Sequence, residues 1–269
     1  DRLSVDFTGS GKEARGAMNM PTNALNACVY YSVKALLDPE LLPNAGLFEA
    51  VSISAPPGTI VNPLPPAPVG ARSITCQKVA GAIFGAFRGV LPRERVIASG
   101  NDVVPAIVFS GALSHRKGQY VYLETLGGGS GARCDGDGMD AVHVHLTNTS
   151  NLPAEALENE YPLMVDEYAL VPDSGGAGQF RGGLGLARQI RALVPGTIFS
   201  VRSDSHTVGI PSGVFGGGDG RRAKLIRNYG GADQEELFSK VARIESPGFI
   251  SMRIETPGAG GYGNPADRS

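Results

Sequence analysis

The sequence contains no apolar run approaching the ~18 residues of a membrane-spanning helix, and no charged–apolar–small pattern of a secretory leader. The chain is therefore not expected to span or enter a membrane by itself. Cysteine is scarce. Cys28, Cys76 and Cys134 are too few and too scattered for a disulfide framework, and none forms a C-x-x-C pair, so a reducing cytoplasm is the expected compartment. No block of like charges occurs in a chain of formal net charge −2, which leaves no case for nucleic acid or an anionic membrane surface as a partner. The serine-nucleophile elbow G-x-S-x-G and the zinc helix H-E-x-x-H are both missing. No internal repeat is evident either.

What remains is a globular balance: 269 residues, 42% hydrophobic and 19% charged, enough for a sizeable core. Thirty-eight glycines and 19 prolines point to many turns and to backbone brought close to something, rather than to long helices. The expected fold is α+β. A mixed α/β portion, residues 1–125, holds two helices and a proline-rich extended loop, and a β-rich, glycine-rich portion covers residues 126–269.

The chain opens with Leu3, Val5 and Phe7 alternating with polar neighbours, a strand already under way and without an initiator methionine. Such a start is expected of proteolysis, a split polypeptide or a designed boundary; a processed start that falls on a strand is the alternative. Pro21 through Leu37 reads as a helix, with Leu25, Cys28, Val29, Ser32, Val33 and Leu36 at helical spacing and Asp38-Pro39 as its stop. Six prolines between Ala55 and Arg72 predict stiff, extended chain. A second helix is expected over Cys76–Val90, with Val79, Ile83 and Phe87 on one stripe and Gly81, Gly85 and Gly89 on another, where a neighbouring backbone could approach. Strands are expected at Val103–Gly111 and Gln119–Thr125, joined by the basic turn from His115 to Gly118. Further strands are expected at Leu163–Val171, Leu184–Leu193, Thr197–Arg202 and Phe249–Glu255.

Three glycine segments invite comparison with anion-binding loops. Gly127–Gly131 follows a strand but is neither G-x-G-x-x-G nor a P-loop, and Gly9-Ser-Gly-Lys12 lacks the upstream glycine. Asp173 through Gly183 places Arg181 among glycines, available for an anion or a buried carboxylate; the bland reading is a strand connection locked by Asp173 and Arg181. Val214–Gly220 reads as an ordinary turn. Cys134 beside Arg133 could be a reactive thiol or an inert one.

The densest polar stretch is Asp137–Glu158. On a strand, His143 and His145 would share one face, a candidate proton-transfer pair or the beginning of a divalent-metal site. Asn148 and Glu155 add polar groups, Asn151 is a candidate helix N-cap, and Glu155 would be favoured by the helix dipole. Equally, the histidines could be hydrogen-bonded core residues, since no third ligand can be named.

The run Asp137-Gly … Ala141-Val-His-Val-His-Leu-Thr-Asn-Thr … Asn151-Leu-Pro-Ala-Glu-Ala-Leu-Glu158 resembles the hydantoinase B family, shared with 5-oxoprolinases and acetone-type carboxylases. Asp173-Ser-Gly-Gly-Ala-Gly-Gln-Phe-Arg-Gly-Gly-Leu-Gly185 is similar to another stretch of that family. Shorter matches follow in family order: Asp6–Gly9, Asn44–Gly46, Ala55–Gly58, Pro65–Ala67, Pro211–Gly213 and Pro257–Gly263.

The resemblance implies the C-terminal part of a B-type subunit of an ATP-dependent enzyme. An A-type ATPase partner would phosphorylate an amide or enolate oxygen, and the B-type subunit would handle the activated intermediate. His143, His145, Asn148 and Glu155 then stand as candidate catalytic positions, and Asp137, Asp173 and Arg181 as a substrate-facing or structural loop. The resemblance places a divalent metal and its ligands in the subunit's N-terminal half, outside this chain, and ATP on the partner. Leu152 departs from the family's threonine, and an extra Asp135-Gly136 precedes Asp137-Gly138. Three functions follow: a cyclic-amide hydrolase subunit (hydantoin, 5-oxoproline or lactam), a ketone carboxylase subunit, or a non-catalytic assembly module.

Overall fold

A computed structural model describes residues 2–113, 117–245 and 248–268. The fold is α+β, and the chain divides into two compact units, residues 1–96 and 97–269.

In the first unit, β1 (Leu3–Asp6) pairs in parallel with β2 (Val51–Ser54). Helix α1 (Thr22–Leu37) begins directly after Pro21 and ends at Asp38, and it buries Leu25, Cys28, Val29, Ser32, Val33 and Leu36, the stripe its spacing predicts. A short helix, α2 (Ala45–Glu49), is capped by the Asn44 side chain, which accepts from Leu47 N. Helix α3 spans Arg72–Phe87 rather than Cys76–Val90, because the chain is already helical from the residue after Ala71 and gives way beyond Arg88. Val79 and Ile83 join the α1 core with Met20, Val51 and Val61. The expected close approach at the glycine row is not seen at Gly85 or Gly89: nothing among the described residues would lie within 4 Å of a Cβ there.

The proline segment is not uniformly extended. Gly58 N donates to Asn62 O at 2.9 Å, and Thr59 bridges to Lys12, so the chain turns before Pro63. The buried Asn19 side chain then ties this segment to the loop ahead of α1, donating to Ala14 O and Pro68 O.

The second unit carries two antiparallel sheets. One has the order β10-β7-β3-β4, from β3 (Ala106–Ala112), β4 (Gln119–Thr125), β7 (Ile198–Arg202) and β10 (Lys240–Glu245). The other is β5-β6-β11-β8-β9, from β5 (Leu163–Leu170), β6 (Leu186–Ala192), β8 (Lys224–Arg227), β9 (Glu235–Leu237) and β11 (Ser251–Glu255). Helix α4 (Ala154–Glu160) leads into β5. Since β3 pairs with β7, the strands before residue 126 share a sheet with strands after it. The turn residues His115 and Arg116 lie outside the described residues.

Alternation along β4 buries Tyr120, Tyr122 and Glu124 and exposes Val121 and Leu123. Ile107, Phe109, Tyr122 and Phe199 from one sheet meet Ile190, Leu225, Met252 and Ile254 from the other in one core cluster. A buried pair joins the sheets: Arg188 on β6 donates to both oxygens of Glu124 on β4, at 3.2 and 3.1 Å.

Between these strands lies a second kind of packing. Five stretches that belong to no sheet, near residues 97–101, 126–142, 171–185, 211–223 and 256–264, hydrogen-bond sideways to one another through their backbones. Asn101 N donates to Gly129 O, Gly129 N to Pro257 O, Gly183 N to Ser130 O, Ala259 N to Gly183 O, and Gly261 N to Gly218 O. The chains lie so close that a Cβ on Gly183 would sit 2.0 Å from Met139 O. Glycine is needed there for the reason it is needed at the collagen axis. Val214–Gly220 belongs to this bundle and is not an ordinary turn: Val214 N donates to Gly261 O, and a Cβ on Gly217 would meet Gly261 O at 2.2 Å.

Candidate active site

The glycine bundle holds the polar stretch that follows β4. Gly128 and Val142 exchange backbone hydrogen bonds of 2.9 and 2.7 Å, and Ala141 N donates to Leu184 O. Among the described residues, that single bridge is the only ladder the histidine segment makes. Ala141, His145 and Leu146 all adopt positive φ (50°, 37° and 48°), so the expected strand with two histidines on one face does not form. The chain curls instead, and the two imidazoles find different partners.

His145 Nε2 lies 3.2 Å from Asp102 Oδ1, with side-chain exposures of only 14% and 18%. A carboxylate against one imidazole nitrogen fixes the ring's orientation, as a proton-transfer histidine requires. Asp102 comes from the loop ahead of β3. Sequence reasoning missed it, because nothing in Gly100-Asn101-Asp102 announces a partner forty-odd residues away.

His143 Nε2 lies 3.3 Å from Thr149 Oγ1, and Thr149 Oγ1 lies 3.2 Å from Thr125 Oγ1. Its Nδ1 is buried with no hydrogen-bond partner among the described residues. Burial pushes its pKa below the ordinary histidine value, so the ring is neutral at neutral pH. The network continues to Asn151, whose Nδ2 donates to Thr125 O at 2.8 Å and whose Oδ1 accepts from Tyr168 at 3.0 Å. Asn151 is therefore not the N-cap of α4. Pro153 occupies that position with no side-chain cap, and the Asn151 oxygen is already engaged. The Arg188 guanidinium stacks 4.5 Å over the Tyr168 ring, which links this network to the buried Glu124 pair. Asn148 is exposed; Glu155 is exposed in the first turn of α4, as the dipole argument expects.

A second cluster sits on the Asp173–Gly185 connection. Arg181 takes a carboxylate, as one of its two readings had it, but the carboxylate belongs to Asp140. Its NH1 donates to Asp140 Oδ1 at 3.0 Å, and Leu184 N donates to the same oxygen at 2.7 Å. Burial alone would raise the Asp140 pKa; these hydrogen bonds outweigh it and hold the carboxyl below its ordinary value. Asp137 accepts from both guanidinium nitrogens of Arg268 and from Arg181 N. The Arg268 pair is the main reason its pKa is also lowered. Asp173 does not lock the loop. It is exposed at φ 54°, and the adjacent Ser174 holds the connection instead, donating to Val171 O and accepting from Gly185 N. The extra Asp135-Gly136 forms a tight turn closed by Arg133 N to Gly136 O, and Leu152 packs on the sandwich core.

Gly127–Gly131 cannot cradle a phosphate as a free loop: the amides of Gly128, Gly129 and Ser130 already donate to Val142, Pro257 and Met139. Asp102 and His145 offer a metal only two side chains, and no three His, Cys, Asp or Glu among the described residues converge on one point. These residues do not by themselves fit a metal centre.

Comparison with known proteins gives this geometry a family. The sequence matches the family profile hydantoinase B/oxoprolinase over residues 1–265. It is 38% identical to an uncharacterized protein of Methanocaldococcus jannaschii over 99% of this chain and 46% of that protein. It is 34% identical to a candidate B-type subunit of a D-/L-hydantoinase from a Pseudomonas species, over 99% of this chain and 45% of the relative. The fold is shared with the crystal structure of an ATP-dependent caprolactamase from Pseudomonas jessenii, at a TM-score of 0.83 and 24% identity, covering 100% of this chain and 48% of that one. The chain thus spans a little under half the length of each of these proteins. The profile match across nearly every residue places it: the chain belongs to the hydantoinase B/oxoprolinase family.

Proposed function

We propose that this chain is part of the B-type subunit of an ATP-dependent cyclic-amide hydrolase, opening a hydantoin, 5-oxoproline or lactam ring in the cytoplasm. The observation that carries this reading is the family match over residues 1–265. An unstrained cyclic amide is a poor electrophile, and phosphorylation of its oxygen by an A-type partner turns that oxygen into a leaving group. The remaining task is to deliver water and manage its proton. His145, oriented by Asp102, is the group we assign to accept that proton, and the carboxylate then stabilises the imidazolium. His143, neutral by burial and steadied by Thr149, positions the loop that carries His145. The divalent metal and the rest of the catalytic surface are assigned to the polypeptide that the relatives carry beyond the matched region.

The test is reconstitution. The complete B-type subunit, its A-type partner, ATP and magnesium are mixed with hydantoin, 5-oxoproline and caprolactam, and ADP and ring-opened acid are measured. Turnover on one of these rings is expected. Bicarbonate-dependent consumption of a ketone, with no ring opened, would instead make this a carboxylase subunit. For the site, H145Q and D102N should each lower kcat by about 10²-fold or more, the usual range for general acid–base catalysis, with little change in thermal midpoint. A large loss of stability with full activity per folded molecule would return His145 to a core role.

A further inference from the structure

Four strands end the two sheets of the second unit, and three of them are blunted against further pairing. β10 carries Lys240, Arg243 and Glu245, and its register slips between Val241 and Ile244. β5 breaks register between Val165 and Glu167, with Asp166 and Glu167 at the break. β9 is three residues long, and two of them are glutamate. Bulges, charges and shortness are the usual protections of an open sheet edge.

β4 has none of them. Its seven residues pair with β3 without a slip, and it contains neither lysine nor proline. Its one charge, Glu124, points inward and is already held by Arg188. The bonds from Leu126 N to Pro105 O and from Leu113 N to Gly118 O fix which backbone groups face β3: those of the even-numbered residues. The N–H and C=O groups of Gln119, Val121, Leu123 and Thr125 therefore point off the edge. Thr125 O is taken by the Asn151 side chain, whereas the other three residues have no backbone partner there among the described residues. Val121 and Leu123 are 69% and 57% exposed. Beside this edge lies a groove of about 550 Å³, with Gln119, Tyr120 and Val121 on one side and Asn159, Glu160 and Tyr161 on the other, where α4 ends. Glu160 is its one charged lining residue among those described.

We propose that the β4 edge is the docking site for a β-strand from the rest of the B-type subunit, the polypeptide that the relatives carry beyond the matched region. The proposal rests on the reading of this chain as part of that subunit. Lying along Gln119–Leu123, the added strand bonds to the open N–H and C=O groups and sets apolar side chains against Val121 and Leu123. A lysine or arginine on it suits Glu160. Two observations choose this occupant. The chain covers 46% and 45% of two relatives, so more than half of each lies outside the matched region and can supply the strand. The edge also ends at the candidate site: Thr125 Oγ1 lies 3.2 Å from Thr149 Oγ1, which lies 3.3 Å from His143 Nε2. A strand seated there carries the catalytic groups assigned to that polypeptide toward the histidine network. A second copy of this chain would offer another β4 and bring no new chemistry to His143.

The experiment uses the complete B-type subunit with a photoreactive benzoylphenylalanine in place of Leu123, and maps crosslinked peptides by mass spectrometry after irradiation. Crosslinks are expected within one polypeptide, to a segment of alternating apolar and polar residues outside the region matched here. In the unsubstituted subunit, the amides of Gln119, Val121 and Leu123 should exchange with deuterium about 10²-fold more slowly than unbonded amides. Val121→Pro removes one outward N–H and leaves the β3 ladder whole, so it should release Gln119 and Leu123 while Tyr122 stays protected. Crosslinks to a second copy or to the A-type partner, no crosslink at all, or free exchange at all three amides would each overturn the proposal. Exchange in the unsubstituted subunit decides the matter even if a variant folds poorly. None of these readouts needs turnover. A mapped strand with no ring opened would sink the hydrolase reading and leave the docking site standing, and turnover with a bare edge would do the reverse.

Discussion

The second unit is built in two ways that meet at β4. In the sandwich, side chains do the joining: Phe109 packs at a tilt against Phe199 with ring centroids 4.9 Å apart, and Glu124 reaches across to Arg188. In the glycine bundle, backbones do it, and side chains are excluded by carbonyl oxygens about 2 Å from where a Cβ would stand. The first tolerates substitution by repacking, because flexible side chains can move. The second has nothing to move except the main chain. The candidate site is mounted on the intolerant region, so its irregular loop, with three non-glycine residues at positive φ, is held by amide hydrogen bonds rather than by its own packing. Rigid support of that kind is what a catalytic constellation needs.

The largest predicted effect tests this contrast. Gly183→Ala would put a methyl carbon 2.0 Å from Met139 O and 2.8 Å from Ser130 N, in the strand-like path whose own bonds link Ser130 and Ala259. A loss above about 4 kcal/mol, or no folded protein, is expected by urea titration. Phe109→Ala, in the sandwich, should cost about 3–5 kcal/mol and leave a folded domain. If Gly183→Ala proves the milder of the two, the bundle is not the rigid element.

Next comes the pair that joins the sheets. Glu124→Gln leaves Arg188, 1% exposed, without its counter-charge, and should cost about 3–5 kcal/mol. Replacing both at once, E124L with R188M, should recover most of that loss, since a buried pair exchanged for apolar packing is often neutral. A double variant as unstable as the single one would show that the pair holds the Tyr168–Asn151 network as well as itself.

A glycine of the opposite kind provides the third test. Gly85 lies inside α3 with open space around it. Gly85→Ala should therefore stabilise the first unit by about 1 kcal/mol through helix propensity alone. Destabilisation there would mean that the row is covered in the protein's working assembly, as its four-residue spacing suggests from sequence.

Much of the regular structure was legible, and the reason is local. The α1 stripe from Leu25 to Leu36 and the alternation of β4 are periodic signals that survive without tertiary help. The bundle was legible only as composition. Its partners are carbonyls of distant segments, and a glycine that faces Met139 O looks in sequence like a glycine that faces a turn. The family motifs marked the site's neighbourhood, but not its geometry. Reading His143 and His145 as strand neighbours failed because one bridge at Val142 cannot sustain extension past it. Asp102 was invisible because pairing with His145 depends on the bundle bringing the loop before β3 alongside. Short strands such as β8 and β9, with no long alternating run, were missed for want of signal.

The smallest effect is a pH dependence that separates the two polar clusters. Burial lowers the His143 pKa in the folded state, so between the folded value and the unfolded value near ~6.5 the unfolded chain binds more protons. Stability then falls as pH drops through that window, with a slope of at most one proton, about 1.4 kcal/mol per pH unit. Asp137 and Asp140 are also lowered, chiefly through the Arg268 and Arg181 hydrogen bonds. Their contribution is present above the unfolded aspartate value of ~3.9 and is lost only below it. Urea midpoints measured from pH 8 to pH 3 should therefore show two declines. His143→Gln should erase the upper one and leave the lower untouched, whereas Arg268→Gln should shrink the lower one alone. A single decline removed by neither substitution would mean that His143 is solvated in the working protein, and the unpartnered Nδ1 could no longer be counted as part of a dry site.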